Sequence, residues 1–393
     1  MLLVYFEPAY FSQIHFLDMA FDLLKLASFA FSMFLLVKGG KYPVVYICTL
    51  FYYALLLAIT YIMAGDVRTV FLQMISASGA VATLFLMSIY IRDWYIKCVI
   101  TIFELLVYCN CLSVIIAPYG LYRYRTDTGW WTDACWFLGI RNGMSLTYII
   151  MFYLEWLNYY LDKKEKNRFI LYMVISSFTI FRINFSSANL IGSGSAGGLV
   201  ICWTCVLLYY LVPKKLPFLD FFTAYILNIC LFIFLVFFKI QRLFSTILEK
   251  YLHKSASLSG RTYLWERAIK QVQKSPWYGY GVEYGRDMAE RLKTPASVNT
   301  TQNGFLDILY TGGAVLFIAF LITVFICAFL LNKYSLNTEV NFFVGYVTFI
   351  FFLCCQSESL VGVRFFFYLQ LLVMNAEYLH EENMHEKKQG VFV

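Results

Sequence analysis

Residues 304–331 read GFLDILYTGGAVLFIAFLITVFICAFLL, twenty-eight residues with one charged side chain, Asp307. A helix needs about twenty mostly apolar residues to cross the roughly 30 Å hydrocarbon core of a bilayer. This run therefore predicts a membrane-spanning helix, and its neighbours repeat the pattern. Over the whole 393 residues, 61% are hydrophobic and 14% charged, where soluble domains carry about 25% charged residues. Mean hydropathy is +0.66. Aromatic residues make up 20%, with 39 Phe and 31 Tyr along the chain, which suits lipid-facing helices with interfacial anchors. The composition excludes an ordinary water-soluble domain.

Eleven windows qualify as spans, near 18–37, 42–63, 69–90, 97–117, 143–161, 168–185, 190–211, 218–239, 304–331, 339–357 and 362–379. The fold class expected is thus all-α: a polytopic transmembrane helix bundle of about 11–12 spans, forming a single membrane domain over 1–393. Residues 1–17 are apolar but short and broken by Glu7 and Pro8, which leaves an interfacial segment or part of a twelfth span open. The opening MLLVYFEPAY has no basic n-region, so the first span is expected to act as the insertion signal.

Basic residues orient the set. Lys38, Lys41, Arg92, Lys97, the Lys163–Arg168 cluster, Lys214, Lys215, Lys333, Lys387 and Lys388 fall on one side. Arg68, Arg123, Arg125, Arg141, Arg182 and Arg364 fall on the other. The richer side is expected to be cytoplasmic, and the formal charge of +7 then reflects these loops rather than nucleic-acid binding. Parity puts one long connection, residues 240–303, on the outer face. Its first part, KIQRLFSTILEKYLHK (239–254), spaces apolar residues for an amphipathic surface helix. A second short helix is expected over 262–274, followed by the breaker-rich SPWYGYGVEYG.

Several features have plain structural readings. The eleven cysteines lie mostly in apolar stretches without a His or carboxylate set, so packing accounts for them and no metal site is expected. Cys135 alone falls in an external segment, which does not support a disulfide. Gly192, Gly194 and Gly197 spell G-x-G-x-x-G but open a span instead of following a soluble strand; close helix approach fits better. Glu104, inside a span, is expected to be paired with another polar group, and Asp18, Asp22 and Lys25 to pair locally.

The outer loop carries the chemistry-bearing pattern: Gly260, Arg261 and Trp265, then Pro276, Gly279, Tyr280 and Gly281, then Gln302, Asn303, Leu306, Asp307, Ile308, Leu309 and Gly312 at the mouth of the next span. In this order and topology, GR-x-x-x-W, P-x-x-G-Y-G and N-x-x-L-D-I-L-x-x-G resemble the O-antigen ligase and Wzy-type polysaccharide polymerase superfamily. Arg141-Asn142, entering a middle span, adds to the resemblance. What it implies is a bacterial inner-membrane glycosyltransferase without metal or other cofactor, its active site facing the periplasm or cell exterior. Donor and acceptor would be undecaprenyl-diphosphate-linked oligosaccharides, handled among membrane lipids. The product would be O-antigen, capsule or exopolysaccharide, with a chain-length regulator and a flippase as further partners.

Two departures matter. Ligases usually place a His before the Asn of the loop-end motif, and here Gln302 stands there. The family's Arg after a Ser in a middle helix is missing from GSGSAGG (192–198), for which Arg182 is the substitute considered. Both favour a polymerase over a ligase. A flippase or transporter is the rival from another class, but its polar groups belong at midplane on broken helices.

A lipid diphosphate leaving group calls for guanidinium groups, which bind phosphate oxygens through paired hydrogen bonds. Arg261 is the first catalytic candidate, joined by Gln302 and by the nearest carboxylates, Asp307 and Glu283. Substrate-binding candidates are Arg141, Asn142, Arg182, Arg364, Trp265, Tyr280 and Asn303. Arg123 and Arg125 alternate with aromatic residues in LYRYRTDTGWW, which fits sugar stacking and an interfacial belt alike.

Overall fold

The computed structural model describes residues 1–92, 94–123, 134–140, 143–188, 219–239, 261–294, 300–334, 336, 338–358 and 361–388. Helices occupy ten of the eleven expected windows: α1 His15–Gly39, α2 Val44–Ile62, α3 Val67–Tyr90, α4 Tyr95–Ile116, α5 Ser145–Leu161, α6 Lys166–Ala188, α7 Phe221–Phe232, and, after two loop helices, α10 Gly304–Lys333, α11 Thr338–Glu358 and α12 Val363–Lys388. The loop helices are α8 Arg261–Val272 and α9 Gly285–Leu292. The chain is thus an all-α polytopic membrane bundle. Among the described residues, six helices (α1–α4, α10 and α11) are long and apolar enough to cross a membrane. The expected span 190–211 and the amphipathic stretch 240–254 lie outside the described residues.

Burial separates central helices from peripheral ones. α5 is buried from Ser145 to Asn158, and α12 from Phe365 to Ala376. α3 is buried through Ile75–Leu84, a run of small residues that lets its neighbours approach closely. α1, by contrast, exposes Phe16, Leu23, Phe31 and Phe34, a face suited to lipid. The N-terminal residues form neither a span nor a surface helix. They make two short 3-10 turns, Leu2–Phe6 and Phe11–Gln13, and the first is tucked into the bundle. Phe6 packs edge-on to Phe103 and Phe367 at 5.0 and 4.7 Å, and the Tyr5 ring lies against Gly79, midway along α3, where a Cβ would overlap it. Irregular backbone at membrane depth is tolerated where protein surrounds it.

The two ends of the bundle differ. At one end the α3–α4 turn meets the far part of α12 through the Arg92–Glu381 ion pair. There, too, Arg168 at the start of α6 binds both oxygens of Glu104 at 2.7 and 2.5 Å, the pairing expected for that carboxylate. At the other end the loop that precedes α10 packs on the α2–α3 turn: Asp66 N–H donates to the Val282 carbonyl at 2.7 Å, and Val282 N–H to Thr60 Oγ1 at 3.1 Å. Glu7 and Asp22 both bind Lys25, at 2.6 and 3.0 Å. A two-residue antiparallel hairpin, β1 Cys135–Trp136 with β2 Gly139–Ile140, accepts the Tyr10 N–H on its Phe137 carbonyl.

Candidate active site

The P-x-x-G-Y-G segment is built into a break in α10. Gly313 has φ 59° and ψ −159°, outside the helical region, and interrupts the helix ten residues beyond Asn303. In an unbroken helix Ala314 and Val315 would donate to the carbonyls of Tyr310 and Thr311. Instead Ala314 N–H donates to Pro276 O at 2.8 Å and Val315 N–H to Trp277 O at 3.2 Å. The two released carbonyls accept from Tyr280 N–H at 3.0 Å and Gly281 N–H at 2.8 Å. Four helix groups therefore exchange partners with four loop groups, which removes the cost of leaving backbone groups unpaired at the break. Gly279 and Gly281, at φ 62° and 71°, make the turn; a Cβ on Gly279 would overlap Tyr310 O.

Side chains lock this insertion. Glu283 accepts from Arg291 Nε at 2.7 Å and from the Tyr310 hydroxyl at 2.5 Å. The Arg291 guanidinium lies 4.3 Å from the Tyr280 ring centre, and the Tyr280 hydroxyl donates to the Gln271 carbonyl at 3.0 Å. Burial raises the Tyr280 phenol above its ordinary range. Arg291 loses some solvation but is held charged, above its usual value, by Glu283.

A second cluster forms where α8 begins and α10 begins. Arg261 Nε donates to Gln302 Oε1 at 3.2 Å. Trp265 is buried and gives its indole N–H to the Thr301 carbonyl at 3.1 Å. Asn303 caps α10, its Oδ1 accepting from Phe305 and Leu306 N–H at 3.1 and 3.0 Å, an arrangement that stabilises a helix by about 1 kcal/mol. Asp307 Oδ1 accepts from Thr301 N–H at 2.6 Å. Between these anchors Gln302 is held at φ 54°, a left-handed conformation that costs a non-glycine residue about 1–2 kcal/mol.

The N-terminus of α12 joins this end. Gly304 sits so close to the Cys355 carbonyl and the Val361 side chain that a Cβ would overlap the former, and Val361 lies two residues before the start of α12. In the first turn of α12, Arg364 has its Nε buried without a hydrogen-bond partner. A buried donor of a charged group left without an acceptor costs about 1–3 kcal/mol in general.

Other candidates are placed differently. Arg182 is exposed near the end of α6, a helix whose neighbours are α4 and α5. Arg123 is exposed beside the hairpin. Gly260, Arg141, Asn142 and Arg125 lie outside the described residues. Sequence reasoning missed Thr301, Tyr310, Arg291 and the break at Gly313; the Gly312-Gly313 pair inside an apolar window was the available signal for the break.

The fold and its polar end define a helical membrane protein in which a partly helical loop is threaded through a broken span. Residues 183–321, about a third of the chain, match the family model described as O-antigen ligase. The matched segment runs from the end of α6 through the loop and past the break in α10. Members of this family are membrane glycosyltransferase-like enzymes. No curated protein and no solved structure matches the chain.

Proposed function

We propose that the protein polymerises oligosaccharide repeat units carried on undecaprenyl diphosphate, on the outer face of a bacterial inner membrane. The observation that carries this reading is Arg364: a buried, unpartnered guanidinium nitrogen at the end of the bundle where Arg261 and the strained Gln302 meet. An anionic group bound there would supply the missing acceptor. The family match supports a transferase of the O-antigen ligase/polymerase type, whose leaving group is such an anion.

In this reading the acceptor hydroxyl attacks the donor's anomeric carbon, the glycosidic bond to the diphosphate breaks, and the chain grows by one unit at its reducing end. Arg364 and Arg261 hold the diphosphate as negative charge develops on it, so they stabilise the transition state more than the ground state. Gln302 positions Arg261 and, being an amide, takes no proton. Asp307, tied to the residue before Gln302, is the carboxylate assigned to accept the proton of the attacking hydroxyl. Glu283, engaged by Arg291 and Tyr310, holds the loop in the break.

The broken helix gives no support to a transporter, because its released backbone groups at residues 310, 311, 314 and 315 are bonded to the loop. The test is reconstitution of purified protein with lipid-linked repeat units. Wild type should give a ladder of products and release undecaprenyl diphosphate, while Arg261→Ala and Arg364→Ala should not. A ligase would instead transfer finished polymer to a different acceptor lipid without making a ladder. Equal ladders from wild type and both variants would sink the proposal.

A further inference from the structure

A cavity of about 540 Å³ lies between the C-terminal ends of α8 and α9. Arg267, Lys270, Lys274, Arg291 and Lys293 line it, and among the described residues no carboxylate does. Two of these cations are committed: Arg291 to Glu283 at 2.7 Å, and Arg267 to the main-chain carbonyls of Leu292, at 2.7 Å, and Lys293. The latter contacts, with a bond from Gln271 Nε2 to the Arg291 carbonyl at 3.2 Å, cover oxygens at the end of α9 that would otherwise repel an anion. Lys270, Lys274 and Lys293 are exposed and form no ion pair among the described residues. The cavity thus presents three uncommitted ammonium groups with the nearby carbonyls already occupied.

Its depth follows from the loop insertion. Residues 276–281 are bonded into α10 at Gly313, about 14 Å along the helix from Gly304. Trp277 and Tyr278, three and four residues beyond Lys274, are 62% and 57% exposed. Exposed Trp and Tyr on a helical membrane protein sit at headgroup level, and lysines there reach the phosphates. The cavity is also separate from the Arg261–Gln302 cluster, since Lys270 is nine residues, or about 14 Å, along α8 from Arg261.

We propose that this cavity binds the phosphate of an anionic phospholipid headgroup, with Lys270, Lys274 and Lys293 as its contacts. Its size suits a glycerophosphate headgroup, within the roughly 300–1,000 Å³ of small-molecule sites. An acidic glycan has the same charge, but nothing ties it to the level of Trp277 and Tyr278.

The test uses the purified full chain in neutral detergent, titrated with short-chain phosphatidylglycerol, short-chain phosphatidylcholine, inorganic phosphate and polygalacturonate. Wild type is compared with Lys270→Ala/Lys274→Ala/Lys293→Ala and with Lys38→Ala/Lys97→Ala/Lys164→Ala, an equal charge change at the opposite end. Saturable binding of phosphatidylglycerol but not phosphatidylcholine is expected, weakened at least about tenfold in the first variant and unchanged in the second. Unaltered thermal unfolding without lipid shows that the variants fold; if the triple variant aggregates, the single variants Lys270→Ala and Lys274→Ala carry the comparison, each several-fold weaker. Equal binding of the two lipids, or full affinity in the cavity variants, overturns the proposal. So does inorganic phosphate binding as tightly as phosphatidylglycerol, which marks a free-phosphate site, or polygalacturonate binding that alone depends on these lysines, which marks a glycan site.

Discussion

Arg168 and Arg364 each stand in the first turn of a helix, at opposite ends of the same bundle, and they have opposite surroundings. Arg168 binds both Glu104 oxygens and lies 3.8 Å from the fully buried Glu155. Its end of the molecule is tied by side-chain ions, with the Arg92–Glu381 pair beside the α3–α4 turn. Arg364 has its Nε buried with no acceptor, and its end is held mainly by backbone: a split helix, an inserted loop, a capped turn and a glutamine at φ 54°. The Arg168 guanidinium has its acceptors in Glu104, and the unsatisfied groups beside it are the two buried oxygens of Glu155, which form no hydrogen bond. What sets the Arg364 end apart is that an unsatisfied cationic nitrogen and a strained backbone occur together there, both of which cost stability.

The sharpest way to break this contrast is to remove each guanidinium in turn. Arg364→Ala should lower polymerisation by about 10³-fold, or about 4 kcal/mol of transition-state stabilisation. The same change should leave thermal unfolding unchanged or slightly raised, because no native hydrogen bond is lost. A stability loss with normal turnover per folded molecule would assign Arg364 to the structural end instead. Next in size is Gly313→Ala, where the new Cβ would overlap the Trp277 carbonyl and the backbone conformation excludes it. A loss of about 3 kcal/mol is expected, read as a lowered unfolding midpoint together with faster proteolysis between α8 and α10. Smaller again, Arg168→Ala should cost about 2 kcal/mol by taking both guanidinium hydrogen bonds from the Glu104 carboxylate, while kcat per folded molecule stays put.

Much of the bundle was legible because hydropathy and length are local properties. Asp307 does not hide the window 304–331, and Glu104 does not hide 97–117. Gly313 was not legible for the same reason: a Gly-Gly pair leaves an apolar window apolar, and the groups that repair the break come from residues 276–281, more than thirty positions away. The N-terminal turns escaped because Tyr5 and Phe6 pack against Gly79, Phe103 and Phe367, contacts that a short apolar run does not announce. α9 escaped because it has eight residues and follows a breaker-rich stretch, and with it went Arg291, the partner of Glu283. At the candidate site, Arg261, Gln302, Asn303 and Asp307 were picked out by motif and resemblance, and the structure brings them together at the start of α10. That Arg364 lacks an acceptor is a three-dimensional fact. In sequence it is one of six arginines at the predicted outer ends of helices.

The smallest expected effect tests the strain itself. Gln302 sits in a conformation that glycine adopts freely, so Gln302→Gly should relieve about 1 kcal/mol of native-state strain, offset in part by greater chain freedom on unfolding. The net change in unfolding midpoint is therefore near zero or slightly upward, even though a side chain and its 3.2 Å bond to Arg261 are gone. Activity should move the other way, because Arg261 loses the amide that orients it. Gln302→Ala separates the two effects: it keeps the strain, loses the same bond, and should match the glycine variant in activity but not in stability. If glycine lowers stability as much as alanine does, the turn is not strained in the sense argued, and the contrast between the two ends rests on Arg364 alone.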